Sequence, residues 1–210
     1  MQALCERVPD VTIIIPVYNL EHYITPMLTS LRDQDLGDYT AEIIFVLNNC
    51  TDNSRQVIED SGLDCQIIEC TTQGCGPARN AALDIARGNY IWMLDGDDWL
   101  TTDTAIQVAL DKAYAEDLDI LYIPFMSNLF HRFYFSMVWQ YMIRRTFIGD
   151  IRFPNYQPAE DDAFTSAILD KAGCVEGRQM HLQSVGFPLY WYNYMREGSN
   201  MYRVSFGEKI

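Results

Sequence analysis

The chain has 210 residues, 49% of them hydrophobic and 21% charged, which suits one well-buried domain and would cramp two. Its formal net charge of −14 argues against a nucleic-acid partner, because a phosphate backbone attracts Lys and Arg. No apolar run approaches the roughly 20 residues needed to span a bilayer, and the opening MQALCERVPD lacks a signal peptide's basic flank and apolar block, so a cytoplasmic location is expected.

Taken in order, VTIIIPVYN (11–19) is a continuous β-rich run of the kind a strand buried on both faces requires. Over 21–33, Ile24, Met27, Leu28 and Leu31 recur at helical spacing. AEIIFVLNN (41–49) predicts a second strand, 52–60 a short helix and CQIIEC (65–70) a third strand. The turn TTQGCGPARN leads to a helix over 78–86, which Gly88 ends as a C-cap glycine would. YIWML (90–94) is a fourth strand, 104–115 a helix and DILYIPF (119–125) a fifth strand. Strand and helix alternating with short connections predict an α/β fold, a mostly parallel central sheet flanked by helices.

After residue 125 the character changes. LFHRFYFSMVWQYMIRR (129–145) is rich in aromatic and basic residues. Phe133, Tyr134, Phe135, Trp139 and Tyr141 at helical spacing read as core, with sugar stacking as the alternative. His131, Arg132, Arg144 and Arg145 either point into solvent from a helix packed on the sheet or dock on an anionic membrane surface. IRFPNYQPAEDDAFTSAILDKAG (151–173) predicts a loop and then a helix with Ala163, Ile168 and Leu169 in the core. GFPLYWYNYMREGSNMYR (186–203) predicts a strand and a loose tail. No repeat or linker interrupts the chain, so residues 1–210 are expected to form a single domain. The cysteines, Cys5, Cys50, Cys65, Cys70, Cys75 and Cys174, form no C-x-x-C pair and do not cluster with histidine, which argues against structural zinc and for free thiols.

In sheets of this kind ligands bind outside the carboxyl ends of the strands. The polar endings VYN, NNCTD and DGDD would gather there, far apart though they are in sequence. Asp95, Asp97 and Asp98 follow a buried strand, where unpaired carboxylates repel and one would take up a proton. A divalent cation removes that penalty, and carboxylates completed by phosphate and water suit Mg²⁺ or Mn²⁺. The alternative is that Asp98, or Asp103, caps the next helix. Gly96, without a Cβ, would let a nucleotide approach the backbone.

The ordered blocks VTIIIPVYNLEHYITPMLTSL, EIIFVLNNCTDNS and GCGPARNAALDIARGNYIWMLDGDDWL resemble the opening half of the family-2 glycosyltransferases of GT-A fold, over roughly residues 10–105. IRRTFIGDIRFPNYQPAEDDAF and PLYWYNYMREGSN resemble the acceptor-side half, within 106–210. The resemblance implies an inverting, metal-dependent transfer, of hexosyl or N-acetylhexosaminyl type, from a nucleotide-sugar donor, above all a UDP-sugar. The acceptor it implies is a hydroxyl of a glycan or lipid-linked saccharide, and the place the cytoplasm, at the inner face of the membrane for a peripheral enzyme. It makes Asp97 the metal ligand, assisted by Asp95, which alternatively contacts the ribose. Pro16, Val17, Tyr18 and Asn19 would line the nucleotide pocket and Arg79 would face the donor, unless it is a helix-surface arginine. Asp161 would be the base, Glu160 would orient the acceptor and Asp162 competes for the base role; a helix N-terminus favoured by its dipole also accounts for all three acids. Arg196, with Ser199, resembles a segment that closes over the diphosphate, and a polar tail predicts the same residues.

One departure concerns the second strand, which in many relatives ends in an acid that bonds the uracil imide. Here Asn48 stands without one, and its carbonyl would accept that N–H with no charge assistance. That keeps open a non-catalytic nucleotide-sugar or glycan-binding module of the same fold. A nucleotidyltransferase would need a Gly-rich phosphate loop with a Lys after the first strand, and PVYNLEHY has neither.

Overall fold

VTIIIPV forms strand β1 (Val11–Val17), and every residue in it is buried. In the computed structural model, which describes residues 7–127, 137–155, 160–173 and 182–193, β1 pairs in parallel with β2 (Ala41–Asn48) and with β4 (Tyr90–Met93). β3 (Gln66–Cys70) continues the parallel sheet beyond β2. On the other side follow β8 (Tyr141–Arg144) and β6 (Ile120–Tyr122), in the order β3-β2-β1-β4-β8-β6. β8 runs antiparallel to both neighbours, so a mostly parallel sheet contains one reversed strand.

Period-two alternation divides the core between the two faces. Val11, Ile13, Ile15 and Val17 pack with helices α1 (Thr25–Arg32), α2 (Ser54–Asp60) and α4 (Ala105–Ala115), while Ile14 packs with α3 (Cys75–Leu83) and α6 (Glu160–Lys171). The helical reading of 129–145 is corrected where that stretch is described. Val138–Gln140 makes a 3-10 turn and Tyr141–Arg144 is strand, because Tyr141 and Ile143 serve one core and Met142 the other. Trp139 and Tyr141 are buried, as the core reading holds. Arg144 pairs with Asp117 and Asp119 at 2.7 and 2.9 Å, and Arg145, which opens the short helix α5 (Arg145–Ile148), donates to the Gly88 carbonyl at 2.8 Å. Two of the basic groups considered for membrane docking are thereby engaged, and His131 and Arg132 lie outside the described residues. Among the described residues no helix is long and apolar enough to cross a membrane.

Helix ends move for local reasons. α1 starts later than its apolar spacing suggests, with Pro26 in the first turn, where a missing N–H costs nothing. α3 takes in Gly76 and Pro77 and ends at Leu83, so Gly88 is not its C-cap. A Cβ on Gly88 would stand 2.6 Å from the carbonyl carbon of Val11 and 2.7 Å from Thr12 Oγ1; the glycine lets the link into β4 cross β1. In α6, Phe164 and Ile168 carry the core contact, Leu169 packs at its margin and Ala163 is half-buried outside it.

A second sheet, β5 (Trp99–Leu100), β9 (Tyr190–Tyr192) and β7 (Phe125–Ser127), lies with β9 in the middle. The expected strand near 186–192 is β9, whereas β5 is too short for sequence periodicity to reveal. The parallel register, Val17 beside Leu47 and Ile14 beside Met93, brings the ends of β1, β2 and β4 to one edge.

Candidate active site

Past β4 the chain turns through Asp95, Gly96, Asp97 and Asp98, closed by the Asp98 N–H donating to the Asp95 carbonyl at 3.1 Å. Asp98 is fully buried; it accepts from the Tyr190 hydroxyl and from the Asn193 N–H, the latter at 2.7 Å. Burial, and then Asp97 and Asp95, push its carboxyl well above the ordinary carboxylate range. Asp98 therefore fastens β9 to the acidic turn and is no helix cap, and Thr104 holds the N-cap position of α4. Tyr190 also accepts from the Asp95 N–H at 3.2 Å. Nothing in a tyrosine within a strand pattern announces that role, so the sequence reading missed it.

Gly96 is corrected in its reason. A Cβ there would meet Leu20 Cδ1 at 2.8 Å and Ile15 Cγ2 at 3.3 Å, so its smallness seats the turn on β1 and does not open a way to a ligand.

Arg79, on the second turn of α3, is 2% exposed. Its Nη2 donates to Asp95 Oδ1 at 2.7 Å and its Nη1 to Asp161 Oδ1. The expectation that it faces the donor is corrected: the guanidinium lies beneath the surface, between two carboxylates. Burial raises the Asp95 carboxyl to about 6, with Arg79 opposing the shift and Asp161 and Asp97 adding to it. Glu160 is buried at the start of α6, and burial pushes its carboxyl up. Asp162 is exposed, so of the three adjacent acids Asp161 is the one turned towards Asp95. Cys75 faces the same cluster; burial raises its thiol to about 12 and leaves it protonated.

The other strand ends form the neighbouring wall. Pro16 and Val17 belong to buried β1, whereas Tyr18 is 45% exposed. Asn19, at φ 51°, accepts from the Thr51 N–H at 2.8 Å, a left-handed conformation Asn tolerates well. Asn48 is 5% exposed and spends its amide internally: Nδ2 donates to the carbonyls of Cys70 and Thr72 at 2.9 and 2.7 Å, and Oδ1 accepts from the Gly74 N–H at 2.9 Å. The expectation that Asn48 reads a nucleotide base is corrected on that ground. Arg196 and Ser199 lie outside the described residues.

Among the described residues no three His, Cys, Asp or Glu side chains form a self-contained metal cage. The carboxylates of Asp97 and Asp95 match the smaller set that Mg²⁺ or Mn²⁺ takes when phosphate and water complete the shell, and the surplus of acids around one arginine favours a cation.

The sequence profile described as glycosyl transferase family 2 matches residues 12–176. The uncharacterized glycosyltransferase EpsJ of Bacillus subtilis is 30% identical over 76% of this chain and 57% of its own length. The poly(ribitol-phosphate) beta-N-acetylglucosaminyltransferase TarS of Staphylococcus aureus is 27% identical over 90% of this chain. The chain spans 36% of TarS, so it corresponds to a part of that relative. The crystal structure of TarS 1-349 in complex with UDP-GlcNAc matches with a TM-score of 0.78 at 24% identity, over 92% of this chain and 60% of that one. The mannosyltransferase PcManGT from Pyrobaculum calidifontis, in complex with GDP-Man and Mn²⁺, matches with a TM-score of 0.68 at 18% identity, over 95% and 61%. The shared architecture is the GT-A fold.

Proposed function

The chain belongs to glycosyl transferase family 2, and we propose that it moves a sugar from a nucleotide-diphosphate donor to a hydroxyl of a glycan or lipid-linked saccharide, with inversion and with Mn²⁺ or Mg²⁺. The observation that carries this reading is the meeting of Asp95 and Asp161 on one buried guanidinium. It joins the strand-end turn to the start of α6 at the sheet edge where ligands of α/β folds bind. A UDP-sugar is the first donor to test, since TarS is seen with UDP-GlcNAc. A lipid-linked acceptor would bring the chain to the inner face of a membrane.

In the proposed reaction the acceptor oxygen attacks the anomeric carbon from the side opposite the diphosphate. Asp161 takes the hydroxyl proton as the new bond forms, and the electron pair of the old bond leaves with the diphosphate. Inversion follows from that single displacement. Asp97, with Asp95, would hold the divalent cation, which when bound offsets charge on the leaving diphosphate. Glu160, buried beside Asp161 at the start of α6, would orient the acceptor. The rival reading, a binding module without turnover, draws support from Asn48, whose amide is spent on backbone.

Calorimetric titration of UDP, GDP, CDP and dTDP, with and without Mn²⁺, tests the donor site on the parent protein and on Asp97→Ala. Binding of one nucleotide that needs Mn²⁺ and disappears in the variant is the expected result. If no nucleotide bound under any condition, the proposal would be wrong.

A further inference from the structure

Gly76, Arg79 and Asn80 share one face of α3, at the i, i+3 and i+4 spacing that aligns side chains along a helix. That face receives the chain leading to α6. A Cβ on Gly76 would stand 3.0 Å from both Phe153 Cβ and the Pro154 carbonyl, so the helix backbone and that segment are in close contact. Asn80 exchanges two hydrogen bonds with the Phe153 backbone, each 2.9 Å. Phe153 stacks on Phe164 of α6 with ring centroids 4.0 Å apart, and the Arg79 guanidinium lies 5.4 Å from the Phe153 ring. Arg79 alone of the three goes on to reach a carboxylate on each side, Asp95 on the acidic turn and Asp161 on α6. Its Nε is buried and makes no hydrogen bond to another protein group.

We infer that Arg79 is a positioning residue for the transfer step: its fork holds Asp161, the base, in register with Asp95 on the donor side. The inference rests on the reaction proposed above. Asp161 comes from a helix and Asp95 from a turn 66 positions earlier (161 − 95), and only a planar donor with two separate N–H ends fixes both. Lysine keeps the charge but offers a single point, so it stabilises the acids without setting their spacing.

The test is hydrolysis of UDP-GlcNAc with Mn²⁺, in which water replaces the acceptor, gives its proton to Asp161 and releases UDP. The proteins are the parent, Arg79→Lys, Arg79→Met, Asp161→Asn and the double variant Arg79→Lys/Asp161→Asn, with UDP affinity measured by calorimetry and folding by circular dichroism. In Arg79→Lys, kcat is expected to fall about 100-fold, the scale of a misplaced catalytic group. KM for the donor and UDP affinity should stay within about threefold, because the loss belongs to the transition state. The double variant should be no slower than Asp161→Asn, since Arg79 acts through that residue. Independent, multiplying losses would overturn the inference, as would a UDP affinity that falls in step with kcat, or full kcat in Arg79→Lys. Should Arg79→Met fail to fold, Arg79→Lys decides. A parent protein that binds no nucleotide overturns the functional proposal and the inference together, whereas an active parent with multiplying losses overturns the inference alone.

Discussion

Asn48 closes the end of β2 onto the loop before α3 with its entire amide, bonding the carbonyls of Cys70 and Thr72 and the buried N–H of Gly74. Leaving buried polar groups unpaired costs about 1–3 kcal/mol each, partly relieved when water enters. Asn48→Ala is therefore expected to lose about 2 kcal/mol of stability, read as a lower urea midpoint with unchanged slope. A change within experimental error would mean that water replaces the amide freely. Arg79 differs in kind. It is held between two acids, one on the acidic turn and one on α6. Both residues stand in segments that the sequence marks for attention, yet their roles depend on which side-chain atoms meet a neighbour.

At the scale of elements, Gly88 fixes how β4 enters the sheet. Its N–H donates to Thr12 Oγ1 at 2.9 Å, and a Cβ would press on the backbone of β1, which has no room to yield. Gly88→Ala is expected to cost about 3 kcal/mol, the upper end of overpacking, measured by the same urea titration. A loss below about 1 kcal/mol would show that the link shifts to make space. β8 teaches a related lesson. The aromatic stretch that contains it fits a helical spacing in one dimension, but a reversed strand between β4 and β6 uses Tyr141 and Ile143 on one face and Met142 on the other. Periodicity over four residues does not separate the two, and the pairing partners decide.

For the whole molecule, 29 acidic against 15 basic residues give self-repulsion that folding must overcome. Raising NaCl from about 0.05 to about 0.5 M shortens the Debye length to a few Å, and the urea midpoint is expected to rise. A midpoint that fell would show that ion pairs, such as those of Arg144 with Asp117 and Asp119, outweigh the repulsion. Long-range ties also hold the molecule at its functional edge. Tyr190 and Asn193 bond Asp98, 92 and 95 positions away in sequence, and so fix the small sheet against the acidic turn.

The alternation of strands and helices, the parallel start of the sheet and the gathering of acids at its edge follow from hydrophobic period and composition, which are local and written in order along the chain. The pairing of Arg79 with Asp161 while Asp162 stays exposed, the internal use of Asn48, the bridging by Arg79 and the insertion of β8 are set by the tertiary structure. Each depends on where a side chain points and on a partner distant in sequence, 82 positions away for Arg79 and Asp161. A one-dimensional pattern specifies which face of an element is apolar, and three-dimensional packing alone decides which atoms meet across it.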